Sequence, residues 1–278
     1  MSIVWTLKRI RERAPSYVTN TRRMGCPRQE TSENPRRCKL SGWAKRLRRF
    51  KDKTAIRQQA LSVVSSHGEG RDMPAIRLAA LGDSFVEGRG DPGLDGPFHG
   101  WVPRLADQLG IPRRGVLNLG VYQATTQDVV DGQLPAVLAR KPPMIVVNVG
   151  VNDLVSDYDP ERFRRNLGTI YSSLRGMDTT VFTASYPDIP KNLAVPDAFR
   201  SLLRDRFAEA NSVLREITVA TGTLCLDLTA MPGWAEARVW AADGIHPNAA
   251  GHQLFADQLT EFAARETGLV QPALLVGG

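Results

Sequence analysis

The chain predicts a three-layer α/β fold in which helices cover both faces of a five-stranded parallel sheet. Three observations carry that expectation. From Pro74 onward, short apolar runs alternate with longer stretches of helical periodicity, the pattern of strands buried on both faces and joined by crossover helices. Gly110, Gly176 and Gly222 stand where three of those helical stretches would end. Polar residues able to do chemistry follow the apolar runs directly, which is where such sheets bind ligands.

Taken in order, the apolar runs predict strands over 76–81, 116–119, 144–149, 180–184 and 224–228. Between and after them, helices are expected over 100–109, 126–139, 161–174, 200–220 and 249–265. The first of these keeps Val102, Leu105 and Leu109 on one face, and the others show similar spacing. No internal repeat is present. The segment from 185 to 196, with three prolines, reads as a long irregular connection of the kind that forms a lid or a binding wall.

Charge divides the chain. Residues 1–60 carry 17 Lys and Arg against 4 Asp and Glu, a balance of +13, while the remainder carries 19 against 25, or −6. The pI of about 9.6 therefore reflects a tail and says little about a substrate. Residues 1–72 are expected to form a basic extension of low order, and residues 73–278 the folded domain, because the tail's arginine clusters repel one another around few regularly spaced apolar residues. Within the tail, 43–59 suits a short basic helix with Trp43, Leu47, Phe50 and Ile56 loosely on one side. Contact with an anionic surface is its functional reading and a solvated segment the plainer one. A third reading leaves the tail untranslated: Glu69-Gly70 would be encoded by GAR-GGN, a purine-rich string just upstream of the codon for Met73.

Several classes are excluded by what is missing. No leader-like apolar core and no run of ~18 apolar residues appear, so a cytoplasmic location is expected. The three cysteines form no framework: Cys26 and Cys38 lie in the basic tail, and Cys225, between two leucines, reads as a small buried side chain. The chain lacks a Walker loop, a Gly-x-Gly-x-x-Gly after a strand and a His-Glu-x-x-His, and Val86 occupies the second glycine of the α/β-hydrolase elbow. Gly88-Arg-Gly-Asp91 reads as a flexible loop rather than a phosphate cradle.

What remains is an inventory for acyl transfer. Ser84 follows the first run, Gly120 to Gln123 the second and Gly150 to Asp153 the third, while Asp243 and His246 precede the final helix. A serine hydroxyl is weakly nucleophilic until a base accepts its proton, and an imidazole oriented by a carboxylate is such a base. Each residue also has a purely structural reading. Ser84 suits a helix cap, Asn152-Asp153 a turn or cap, and Asp243-Gly244 a turn with His246 packed beneath it.

Four blocks in order, GDSFVEG (82–88), NLGVYQATT (118–126), GVND (150–153) and DGIHP (243–247), make the chain from about Met73 to Thr267 resemble the GDSL, or SGNH, hydrolases. The resemblance implies a flavodoxin-like α/β/α domain and hydrolysis of carboxylic esters or thioesters without a metal or other cofactor. It also implies roles: Ser84 as nucleophile, His246 as base, Asp243 as its orienting partner, and Ser84, Gln123 and Asn152 as oxyanion donors. The second block departs from the family pattern, which places glycine where this chain has Gln123. A glutamine there can donate its backbone N–H only if the local backbone accommodates a Cβ; Gly120 is the alternative donor.

Phe85, His99 and Tyr122 are expected to line a substrate pocket, and His252, on the last helix, to be a helix-surface or core residue. The expected partner is a small-molecule ester, with no obligatory nucleic acid. An acyltransferase using the same acyl-serine and a non-catalytic ligand-binding relative are the alternatives, the second opposed by the presence of Ser84, Asp243 and His246 together.

Overall fold

The computed structural model describes residues 75–93 and 98–268. The expected helix over 43–59, Cys26, Cys38, the domain boundary at 72–73 and the start-site reading at Met73 lie outside them.

Five strands form one parallel sheet: β1 (Leu78–Gly82), β2 (Val116–Asn118), β3 (Met144–Asn148), β4 (Thr180–Ala184) and β5 (Leu224–Leu226). Their order is β2-β1-β3-β4-β5. Every residue of β1 and β3 is buried, so both read in the sequence as unbroken apolar runs rather than alternating ones. Leu78, Leu81, Ile145, Val146 and Val147 have no exposed surface. Each such side chain contributes about 1.5–3 kcal/mol by leaving water, which makes this central pair the anchor of the core. β5 stops two residues earlier than expected because the Asp227 side chain accepts the Thr229 N–H at 3.0 Å and turns the chain into a 3₁₀ segment at Leu228–Ala230.

Eight α-helical segments accompany the strands among the described residues. They are α1 (Ser84–Glu87), α2 (Trp101–Gln108), α3 (Thr126–Asp128), α4 (Leu134–Arg140), α5 (Val151–Val155), α6 (Pro160–Leu174), α7 (Asp197–Thr221) and α8 (Ala249–Thr267). The local chemistry of the long helices is conventional. Asp159 caps α6 through the Arg162 N–H, with Pro160 at the first helical position. Asn248 caps α8 through the N–H groups of Ala250 and Gly251, and Gly222 closes α7 at φ +72°. The helix expected over 126–139 is instead divided by a π-helical stretch at Val129–Gln133, which a search for 3.6-residue periodicity does not detect. Helices α1 and α5 are too short to show a period at all.

Helices α2 and α8 pack on each other over one face of the sheet, and α6 packs against α7 and the α3–α4 segment over the other. Between α2 and α8 an aromatic cluster forms: the Trp101 and Phe255 rings lie 5.0 Å apart and the Phe85 and Phe255 rings 4.8 Å apart. The strand order reverses between β1 and β3, so the connections leaving these neighbours diverge and open a crevice at their carboxyl ends.

Candidate active site

Two close approaches put Ser84 at the edge of that crevice. A Cβ at Gly82, where φ is +153°, would lie 1.8 Å from the Asn148 carbonyl oxygen, so only glycine lets β1 end this tightly against β3. Asp83 then caps α1 through the Phe85 N–H at 3.0 Å, mounting Ser84 as the first residue of that helix. The end of β1 is held further by Gln133 in the π-helical stretch. Its Oε1 accepts the Gly82 N–H and its Nε2 donates to the Gly82 carbonyl, both at 2.8 Å and both buried. Because β2 has already ended at Asn118, this side-chain amide takes the place of a neighbouring strand's peptide group. Nothing in the sequence separates Gln133 from a surface glutamine.

Across the crevice, the turn before α8 carries the other two residues of the expected triad. The Ser84 Oγ lies 2.9 Å from His246 Nε2, and His246 Nδ1 lies 2.6 Å from Asp243 Oδ2. Asp243 Oδ1 accepts the N–H groups of Ile245 and His246, each at 3.0 Å, so one carboxylate fixes both the turn and the ring. Partial burial works against ionisation of Asp243, but the His246 ring and these two N–H groups outweigh it and hold the carboxyl down at about 2. Ser84 and His246 are both buried. The imidazole is thus placed to take the serine proton while its other nitrogen faces a carboxylate.

The expected oxyanion donors come from two adjoining loops. Asn152 Nδ2 donates to the Ala124 carbonyl at 2.9 Å; an amide nitrogen has two protons, so one remains for another acceptor. Gln123 adopts φ +64°, the left-handed conformation that glycine prefers. The chain thus takes a backbone shape that suits glycine while carrying a Cβ, and among the described residues the Gln123 N–H has no acceptor. Gly120 is different. Its N–H donates to Asn118 Oδ1 at 2.9 Å, which removes it as the alternative donor. Asp153 ties the two loops together, accepting the Thr126 N–H at 2.9 Å and the Thr126 hydroxyl at 2.8 Å.

The pocket residues divide. Tyr122 sits beside the imidazole, its ring centroid 6.3 Å from that of His246. Phe85 belongs instead to the aromatic cluster between α2 and α8, touching Trp101, Trp234, His252 and Phe255; the helix that presents Ser84 turns the next side chain toward its neighbours. His99 lines a separate cavity of about 590 Å³ with Phe98, Arg104 and Arg113, and none of Ser84, Asn152 and His246 borders it. The pocket roles expected for Phe85 and His99 are corrected accordingly. His252 is a core residue with no exposed surface. Burial lowers its ring to about 4, and its Nε2 lies 3.0 Å from the Arg89 carbonyl.

Two segments expected to be irregular are well anchored. A Cβ at Gly90 would lie 2.0 Å from the Pro247 carbonyl oxygen, and Asp91, buried, accepts the Gly100 N–H at 3.0 Å and pairs with Arg104 at 2.5 Å. The 88–91 turn is therefore packed against the His246 turn. In the 185–196 segment, Ile189–Asn192 is a 3₁₀ helix, Arg204 grips Asp188 with two hydrogen bonds, and Gly244 rests on the Asn192 carbonyl. It buttresses the Asp243 turn as a fixed wall. Cys225 is half-buried, and burial pushes its thiol up to about 11.

In the sequence Asp83 stands out only as part of the GDSFVEG block. It is buried beneath Ser84, its Oδ2 has no partner among the described residues, and burial raises its carboxyl to about 7. Among the described residues no group of three or more His, Cys, Asp or Glu side chains converges as metal ligands would, and no helix is long and apolar enough to cross a membrane.

Comparison with known proteins decides the family. The model of the GDSL-like lipase/acylhydrolase family matches residues 80–254, which span all four blocks. The chain belongs to that family. No curated protein matches it. Among solved structures, this GDSL-family chain is similar to TesA, at 25% identity and a TM-score of 0.52 over 69% of this chain and 99% of that one. The lipase/acylhydrolase from Enterococcus faecalis is similar at 24% identity and a TM-score of 0.51, over 68% and 95%. A variant of an acetyl xylan esterase from Geobacillus stearothermophilus is similar at 21% and 0.52, over 69% and 94%. The last two likenesses establish the shared fold. Family and fold together support ester hydrolysis at a general level.

Proposed function

We propose that this GDSL-family domain hydrolyses carboxylic esters through an acyl-serine intermediate. The observation that carries the reading is the unbroken relay from Ser84 Oγ to His246 Nε2, at 2.9 Å, and from His246 Nδ1 to Asp243, at 2.6 Å. In the first half-reaction Ser84 Oγ attacks the ester carbonyl as its proton passes to His246 Nε2. The oxyanion is met by the N–H groups of Ser84 and Gln123 and by the remaining Asn152 amide proton. Collapse breaks the bond to the alcohol, which leaves with the proton from His246. Water then attacks the acyl-serine, gives a proton to the same nitrogen and restores Ser84 as the acid departs. Asp243 stays ionised throughout and orients the ring.

The test is hydrolysis of a chain-length series of 4-nitrophenyl esters, with acetylated sugars alongside and with Ser84→Ala as control. The reading expects turnover by the full chain and none by the variant. Equal rates in both proteins would refute it. Added methanol competes with water for the shared acyl-serine, so the product ratio distinguishes the two: a hydrolase yields mainly the acid and an acyltransferase mainly the methyl ester.

A further inference from the structure

The side chain of Arg89 finds no place in the mechanism above, yet its position is set from every side. Its backbone N–H donates to the carbonyl of Ser84 itself at 2.9 Å, and its own carbonyl lies 3.0 Å from His252 Nε2. On either side of it, Gly88 abuts Gly100 and Gly90 abuts Pro247. With the backbone fixed, the guanidinium extends over the Tyr122 ring at 3.7 Å and also faces Phe98 at 4.7 Å. Tyr122 is the ring that neighbours His246 at 6.3 Å, so Arg89 lies within the sum of those two ring distances of the imidazole.

Two properties distinguish this arginine from a structural strut. Its side chain keeps 32% of its surface in solvent beside the crevice. Glu87 hydrogen-bonds the Nε edge, at 3.1 Å, and among the described residues neither terminal nitrogen hydrogen-bonds a carboxylate. A guanidinium presents five donors in a rigid plane, and its terminal pair matches the two oxygens of a carboxylate or the edge of a phosphate. Contact with two rings restrains the guanidinium before any ligand arrives, which lowers the ordering cost of binding.

We infer that Arg89 forms an anion subsite of the crevice and selects esters that carry a carboxylate or phosphate on the acyl or alcohol portion. The inference rests on the esterase reading and adds the substrate class to it. Glu87 partly offsets the positive charge, so recognition depends on the paired donors at short range rather than on long-range attraction. A neutral ester of the same length gains nothing from those donors and must leave them hydrated.

The experiment compares 4-nitrophenyl hemiglutarate with 4-nitrophenyl pentanoate, which differ by the terminal carboxylate, in the full chain and in Arg89→Gln and Arg89→Lys. A second pair, acetylated glycerol 3-phosphate and acetylated glycerol, places the anion on the alcohol and separates phosphate from carboxylate. For at least one pair, the ratio of kcat/KM for the anionic over the neutral ester should fall about 10-fold or more in Arg89→Gln, the scale of one charge-assisted hydrogen bond. The loss should appear in KM, with Arg89→Lys retaining part of the preference. A ratio unchanged by Arg89→Gln in both pairs, or a parallel loss on anionic and neutral esters, overturns the subsite while leaving the esterase reading intact. A full chain that turns over none of the four esters overturns both.

Discussion

Replacing Gln133 by leucine tests whether the end of β1 depends on a side chain from the opposite layer. The substitution keeps an apolar body of similar reach and removes both 2.8 Å hydrogen bonds to Gly82. Their losses differ in kind. The Gly82 carbonyl keeps a second donor, the Val121 N–H at 3.2 Å, so it loses about 0.5–1.5 kcal/mol as one ordinary hydrogen bond. The Gly82 N–H is left buried without a partner, which costs about 1–3 kcal/mol. Together the change should destabilise the fold by roughly 2–4 kcal/mol, a fall in Tm of about 5–15 °C for a domain of this size. Denaturant unfolding gives the free energy, and 4-nitrophenyl ester kinetics below the transition give kcat, which should also fall because Asp83 and Ser84 hang on that strand end. Gln133→Glu should retain the bond to the N–H and set a carboxylate against the carbonyl. A Gln133→Leu protein within about 0.5 kcal/mol of the parent would refute the reasoning.

Three further outcomes are expected. Asn152→Ala should lower kcat by ~10²–10³ with little change in KM, as loss of one oxyanion donor does; a change confined to KM would remove Asn152 from the oxyanion site. Gln123→Gly should keep the backbone donor and relieve a left-handed residue whose Cβ costs about 1–2 kcal/mol, against about 0.5–1 kcal/mol of added chain entropy when unfolded. The net gain should approach 1 kcal/mol in urea unfolding with kcat retained, and a loss of stability would contradict it. Burial raises Asp83 from its ordinary 3.8 to about 7, so its contribution to stability is fully present below 3.8 and is lost as pH rises through about 7. Asp83→Asn, which mimics the neutral form, should flatten the decline in stability between about pH 4 and 7; an unaltered pH profile would reject the buried-acid account.

The strands and long helices were legible because burial on two faces writes continuous apolar runs and an apolar stripe writes a helical period. Ser84, Asn152, Asp243 and His246 were legible for a different reason: each lies in a short block at the end of an element, and the topology then brings the blocks together. Gln133 was not legible, since its function arises from a π-helical offset and a strand that ends early, neither of which leaves a local pattern. Phe85 misled because its position next to the nucleophile suggested the crevice, while a helix turns adjacent side chains to different faces and the Trp101–Phe255 cluster claims this one. The 185–196 segment is irregular apart from one 3₁₀ turn, as its prolines suggested; what they could not show is that Asp188 and Tyr186 tie it down through partners distant in sequence.

The central claim is that Ser84 is the group His246 activates. It is tested most directly by treating the native protein with a fluorophosphonate and mapping the adduct by peptide mass spectrometry, in the parent chain and in His246→Ala. The account predicts one adduct, on Ser84, forming in step with loss of ester hydrolysis and suppressed in His246→Ala. An adduct on any other residue, or full esterase activity in a protein whose Ser84 is modified, would contradict it.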